Sequence, residues 1–360
     1  MKINRLYLKN YRSYSEAVFD FSDGVNVITG ANGLGKTNLL EAIYILSGAR
    51  SWRSGKNIEL VKWETDGAFV FANATSRGRN FEIKLSIPAR GRGSVTINDV
   101  RVQKKAKMSE VLRCVIFSPE DLFLIKGPSV RRRSLLDGAL CQLSIKYDDN
   151  LSRYEKILEQ KKKILSSGEN LALLPEYNYQ MAFYGAQIVS ARAELCDRLQ
   201  KKAQELHRMI SGGKEELKLE YKTVSAISDP RGDTKTIAEE IHNHLKAMES
   251  AEIAAESCLS GVHKDDLIFY INGRDAKAYA SQGQSRTAAV ALKFAERELL
   301  REGDEYPLLL LDDVMSELDE PRQRFIASHA LGGQTFISCC NEIDINGSET
   351  KMIRIDQSEN

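Results

Sequence analysis

Residues 25–46, VNVITGANGLGKTNLLEAIYIL, constrain the fold more than any other stretch: an apolar run, a turn with glycines at 30, 33 and 35, and an apolar helix face follow one another without a gap. Val25, Val27 and Ile28 read as a buried strand, and Leu39, Leu40, Ile43 and Leu46 recur at helical spacing. Between them, Gly30, Ala31, Asn32, Gly33, Leu34, Gly35, Lys36 and Thr37 fit the spacing of a phosphate-binding loop. Glycine admits backbone angles and close approach that a side chain would block, and a helix opening at Lys36 presents unpaired N–H groups to an anion. In such a loop the backbone wraps the phosphates, the lysine reaches the terminal ones and the threonine hydroxyl binds Mg²⁺.

A metal held by Thr37 needs a second anchor. Residues 307–311, PLLLL, form an apolar run followed at once by Asp312 and Asp313, the pattern of a fully buried parallel strand with acids at its C-terminal edge. The two ends of the chain are therefore expected to meet, with Asp312 on the metal and Asp313 placed to orient or deprotonate an attacking water. Between them, ASQGQSRT at 280–287 is a small, polar, glycine-containing turn that opens a helix, readable as a second anion site or as a plain cap.

The intervening chain divides in two. Alternation and turn residues predict strands at 2–8, 17–21, 69–75, 81–87, 95–97 and 111–117, with Asn98-Asp99 as a hairpin turn, so an antiparallel sheet lies beside the loop. From about 129 the pattern turns helical: 129–167, 175–211 and 234–258, the first two joined through Ser166-Ser167-Gly168 as an antiparallel hairpin. A strand at 217–224, another at 267–271 before Asn272-Gly273, a helix over 285–301 and a last strand at 351–355 complete the reading. The expected division is 1–125 and 259–360 as two parts of one α/β core, with 126–258 as an inserted helical domain.

Net charge is only +1, but residues 1–133 carry 23 Lys and Arg against 12 Asp and Glu, and the remainder is correspondingly acidic. Such asymmetry points to nucleic acid, or to attraction between the two parts. Basic groups cluster at Arg50, Arg53 and Lys56, at Arg77 and Arg79, at Arg90 and Arg92, at Lys104, Lys105 and Lys107, and at Arg131, Arg132 and Arg133. Some are expected to line a groove over duplex DNA with backbone contacts, although Arg131–Arg133 could equally order the first inserted helix. The six cysteines form no C-x-x-C pair and lack clustered histidines, which suggests neither zinc nor a disulfide framework and favours a reducing cytoplasm. No stretch of about 18 apolar residues predicts a membrane span. Adjacent Cys339 and Cys340 fit a strand end better than a redox sensor.

The order of phosphate loop, Ser-x-Gly-Gln, apolar strand with Asp-Asp, then Ser316-Glu317-Leu318-Asp319 resembles the ABC-type ATPase heads of the SMC class, and more narrowly the RecF family. LKNYRSY at 8–14, FSPEDL at 117–122, PSVRRRSLLD at 128–137 and GVHKDDL at 261–267 add to the resemblance over nearly the whole chain. It implies an α/β ABC-type head, a mixed sheet with a P-loop and an inserted helical domain. ATP would lie on Gly30–Thr37 with Mg²⁺ on Thr37 and Asp312; Lys36 and Asp313 would be catalytic, and turnover slow. Ser281, Gly283 and Gln284 would act on the nucleotide of a second copy, and Ser316–Asp319 would carry information across the dimer. The implied role is an ATP-gated homodimer that binds duplex, gapped or tailed DNA, works with RecR and RecO, and helps place RecA on single strands in gap repair and SOS induction. An SMC-type structural head, a transporter motor and a small-molecule kinase are the rivals. Three departures stand out: Asp313 where most relatives place glutamate, no switch histidine within Phe336–Cys340, and Val262 and Lys264 where the family has proline and arginine. Glu120 would have to serve where related ATPases have a glutamine.

Overall fold

Alternation of buried and more exposed positions starts the fold, which a computed structural model describes for residues 1–53, 55–224, 226–339 and 350–356. In chain order the first unit begins with β1 (Lys2–Tyr11), β2 (Tyr14–Asp20), β3 (Val25–Thr29), α1 (Lys36–Ile45), β4 (Gly67–Ser76), β5 (Arg79–Pro88), β6 (Ser94–Ile97), β7 (Val100–Val102) and β8 (Cys114–Phe117). Ile3, Leu6, Leu8, Val70, Ala72, Ala74, Ile83 and Leu85 turn to one face and are buried. The resulting antiparallel sheet runs β2-β1-β4-β5-β6-β7. At the bulge between Ile3 and Arg5 the sheet is clipped by a side chain. The Gln334 amide accepts from Ile3 N at 2.7 Å and donates to Ile3 O and Ser22 O at 2.8 Å, acting as a piece of strand.

The helical unit follows: α2 (Ser129–Leu143), α3 (Ile145–Ser167), α4 (Leu174–Ile210), β9 (Leu217–Lys222), α5 (Thr234–Ala254), β10 (Asp266–Ile271), β11 (Arg274–Asp275), α6 (Ala276–Tyr279) and α7 (Gln282–Leu299), whose first turn ends this unit. The chain then supplies β12 (Leu308–Asp312), α8 (Glu320–Ala330), β13 (Thr335–Cys339) and β14 (Thr350–Arg354). These join β3 and β8 in an all-parallel sheet, β14-β3-β13-β12-β8. Leu308–Leu311 are wholly buried, as a strand covered on both faces requires, and each contributes roughly 2 kcal/mol relative to exposure.

Two compact units result: Met1–Phe123, Met209–Ser211 and Arg286–Asn360, and Leu124–Arg208 with Gly212–Ser285. The sequence reading returned the chain to the core at 259. The second unit instead runs to Ser285, because β10 pairs along its length with β9, Leu267 opposite Tyr221 and Ile271 opposite Leu217. The continuous helix expected over 129–167 is broken at Ser144, whose extended backbone (φ −146°) lets its hydroxyl accept from Tyr147 N and restart a helix. The predicted strand over 111–117 shortens to 114–117, preceded by a 3₁₀ turn at Lys105–Glu110, and α8 is an element the sequence reading did not name.

Inside the second unit, the segment 261–267 is a hub. Arg192 forks onto Asp137 with two bonds of 2.8 Å and donates to Val262 O at 2.7 Å, while the Asp265 carboxylate takes Tyr221 OH and lies 3.5 Å from Arg192. Burial pushes Asp265 up to about 6 against the pull of Arg192. Arg132 forks onto Asp266 at 2.6 and 2.9 Å and caps the carbonyl of Gly127. Of the Arg131–Arg133 cluster, Arg132 is therefore buried structure rather than a DNA contact, and Arg133 is spent on Asp265 O. His263 meets Tyr154 OH at 3.0 Å, and burial among cations pushes it down to about 3, so it is a neutral structural ring.

Candidate functional site

β3 is buried from Val25 to Ile28 and delivers the chain into the glycine turn at the C-terminal edge of the parallel sheet. Gly30, Gly33 and Gly35 all have positive φ, and Gly35 (φ 104°) is the N-cap of α1 with no side chain capping that end. A Cβ on Gly35 would stand 2.8 Å from Ser13 Oγ and 3.0 Å from Tyr14 OH. Gly35→Ala is accordingly expected to cost about 1–2 kcal/mol and to remove nucleotide binding, read as a lower melting temperature that ATP no longer raises. An ATP response equal to that of the unchanged protein would count against the loop geometry.

Lys36 is 4% exposed, and its ammonium donates to Gly30 O at 2.8 Å and Ala31 O at 3.2 Å, lying across the loop. Thr37 Oγ1 donates to Asp312 Oδ1 at 3.0 Å, which joins the first motif to the last. Ser338 donates its hydroxyl to the same Asp312 oxygen at 2.9 Å and accepts from Asp313 N at 2.9 Å. Burial raises the Asp312 pKa, opposed by the bonds from Ser338 and Thr37. A desolvated carboxylate bonded to two neutral hydroxyls, one of them on the phosphate loop, with no salt bridge to a cation among the described residues, suits a hard divalent ion with oxygen ligands. Asp313 sits in left-handed backbone (φ 51°) and is only half-buried, which turns its carboxylate out of the strand line.

The loop after Asp313 is pinned rather than free. Ser316 donates to Asp313 O at 2.8 Å, and Gln323 donates to Met315 O and Leu318 O at 2.8 and 2.9 Å. Asp319 caps α8, and Arg322 reaches Thr287 of α7 at 2.6 and 3.0 Å.

Ser281 and Gln284, in the second unit, form a reciprocal capping box. Ser281 Oγ accepts from Gln284 N at 3.1 Å, and Gln284 Oε1 accepts from Ser281 N at 2.9 Å. The helix starts at Gln282 rather than 285, so Gly283 and Gln284 occupy its first turn. Glu120 is exposed, while Asp121 folds back to accept from Ser118 N at 2.8 Å.

Ser338 escaped the sequence reading, which searched 336–340 for a histidine. Parallel register puts Ser338 opposite Asp312 on the neighbouring strand, and that register is a long-range fact. Cys339 is buried at the end of β13; Cys340 lies outside the described residues. Arg53, grouped with DNA cations in the sequence reading, donates to Asn38 on α1 at 2.8 Å and lies 3.7 Å from the buried Glu41, which Arg12 holds with two bonds of 2.7 Å. It belongs to the nucleotide side.

A phosphate loop joined through Thr37 to an acid at the end of an all-parallel sheet, with an antiparallel sheet in the same unit and a helical unit inserted in the sequence between the two motifs, defines the fold of an ABC-type ATPase head. The family described as RecF/RecN/SMC N terminal domain matches residues 2–360. The chain belongs to the RecF family. It is 40% identical over 347 residues to the DNA replication and repair protein RecF of Bacillus velezensis, covering 94% of this chain and 93% of that protein. A solved recombination mediator protein RecF-ATP of the RecFOR pathway shares 32% identity, with TM-score 0.86 over 98% of this chain and 95% of the other. An SMC head bound to the C-terminal winged helix of ScpA is 17% identical, with TM-score 0.56 over 100% and 96%, and shows the fold alone.

Proposed function

We propose that this protein is an ATP-gated clamp of recombinational gap repair. In this reading ATP·Mg²⁺ rests on Gly30–Thr37 and Asp312 of one copy and is completed by Ser281, Gly283 and Gln284 of a second. Asp313 orients the attacking water, and slow hydrolysis lets the two copies part. The closed dimer binds duplex or gapped DNA through its backbone and, with RecR and RecO, helps load RecA on single strands in replication and the SOS response. The observation that supports this is the Thr37–Asp312–Ser338–Asp313 chain of bonds, which joins the phosphate-loop threonine to two consecutive acids at the end of β12. The solved RecF-ATP relative supports the nucleotide. Against an SMC-type structural head stands the length of α4, which at 37 residues spans only about 55 Å.

Sedimentation velocity with labelled gapped duplex, in ATP·Mg²⁺ and in ADP·Mg²⁺, tests the reading. A dimer that carries DNA only with ATP supports it; a monomer without DNA in both sinks it. Asp313→Asn is expected to keep the ATP-dependent dimer but slow its dissolution at least tenfold, followed by dilution after ATP is withdrawn. Dissolution at the ordinary rate would show that Asp313 does not serve hydrolysis and that ATP acts only as glue.

A further inference from the structure

The geometry points to a phosphate-backbone groove at the outer edge of the six-stranded sheet, in which Arg90, Arg92 and Arg101 hold one strand of DNA. This rests on the clamp reading and goes further by naming the surface. A groove of about 490 Å³ is lined there by Arg92, Gly93, Ser94, Arg101, Val102 and Gln103: two guanidinium groups, a hydroxyl and an amide, with no carboxylate and no aromatic ring. Arg101 stands directly opposite Thr96 in the β6–β7 pairing, and alternation places Ser94 on the same face as Thr96.

The charge around this groove is unbalanced. Residues 77–107 hold nine Lys and Arg against two Asp and Glu, and both acids, Asp99 and Glu82, sit on Lys84 at 2.5 and 3.4 Å. Among the described residues Arg90 and Arg101 have no ion-pair partner, and Arg92 reaches only the backbone carbonyl of Gln103 at 3.4 Å. Arg77 and Arg132, by contrast, already lie on carboxylates. The loop that bears two of the arginines, ARGRG at 89–93, keeps its floor bare. A Cβ on Gly93 would stand 2.5 Å from Ser86 O, and Gly91 (φ 89°) faces open space.

Three guanidinium groups with no carboxylate partner among the described residues match a polymer with repeated phosphates better than a single anion, because each fork can take one phosphate in two parallel bonds. With no ring to stack a base, the groove reads charge and not sequence.

Fluorescence anisotropy with two labelled duplexes of unrelated sequence, in ATP·Mg²⁺ at about 50 and 200 mM salt, tests the assignment. The Arg92→Ala/Arg101→Ala double variant is expected to bind both duplexes roughly tenfold or more weakly, with a log-log salt slope shallower by about 2. The Arg92→Lys/Arg101→Lys variant should recover most of the slope, and ATP-dependent dimerisation, followed by sedimentation without DNA, should be unchanged in both. If the unchanged protein binds duplex and the alanine variant binds equally well with the same slope, the groove is wrong while the clamp stands. If the unchanged protein binds no duplex, both fall. Displacement of the duplex by poly-glutamate at equal charge concentration would mark an acidic-protein surface and overturn the assignment.

Discussion

Arg192→Leu is expected to destabilise the helical unit by about 3–5 kcal/mol. The guanidinium is 2% exposed and serves three elements at once: Asp137 of α2, the carbonyl of Val262, and Asp265 before β10. Removing it leaves in Asp265 a carboxylate that is 1% exposed, bonded to Tyr221 OH and Val224 N, with Arg133 as the remaining nearby cation among the described residues. The pH dependence has a definite sign. Because the Asp265 pKa in the folded protein, about 6, lies above its unfolded value, the ionised group opposes folding. That cost lessens as pH falls through about 6 and is gone near the unfolded value of about 4. The leucine variant should therefore regain part of its lost stability between pH 7 and 5, and an added Asp265→Asn should remove that dependence. Urea unfolding across this range, with proteolysis mapping cleavage to 124–285, measures both effects. A leucine variant with unchanged stability would show that the forked bonds merely offset the desolvation of their members.

Asp312→Asn carries the opposite sign for the nucleotide-free protein. Asp312 is desolvated, and among the described residues its side-chain bonds are to the hydroxyls of Thr37 and Ser338, with only a small pull from Arg53, so its ionised form costs stability that a neutral amide would not. Asparagine keeps an oxygen to accept both bonds. The variant is expected to gain about 1 kcal/mol, or roughly 2–4 °C in melting temperature. It should at the same time lose the Mg²⁺-dependent stabilisation by ATP, about 2.7 kcal/mol at a hundredfold excess over Kd. Differential scanning fluorimetry with ATP, with and without Mg²⁺, reads the two effects separately. A variant that melts lower without nucleotide would mean that the carboxylate is balanced by a cation of the protein, with Arg53 the first to test.

What the sequence made legible was what neighbours in the chain decide. The strand, glycine turn and helix at 25–46 are contiguous, as are the hairpin at Asn98-Asp99 and the run ending in Asp312, and each appears where its local pattern places it. The break at Ser144 was hidden because the apolar spacing continues through it and only a hydroxyl restarting the helix marks it. The pairing of β9 with β10, and with it the reach of the second unit to Ser285, depends on residues more than forty positions apart that no local signal connects. The buried roles of Arg132 and Arg192 were hidden for a related reason: charged side chains are expected at the surface, and their carboxylate partners lie far off in sequence. Ser338 shares that fate, since a strand serine becomes informative only once its register beside Asp312 is known.

The strand order of the parallel sheet also bears on how the protein is made. β3, which launches the phosphate loop, has as its two neighbours β13 and β14, the last strands of the chain, and the Gln334 amide closes the bulge in β1. An N-terminal segment emerging from the ribosome therefore carries a complete loop motif but no sheet to hold it, and its apolar strand must wait unpaired through nearly the whole of translation. Pairings over such long separations form late and leave strand edges open to association meanwhile. Chains cut short anywhere before β14 should be degraded or captured by chaperones rather than survive as partial nucleotide binders, so a working phosphate loop certifies that synthesis has passed β14.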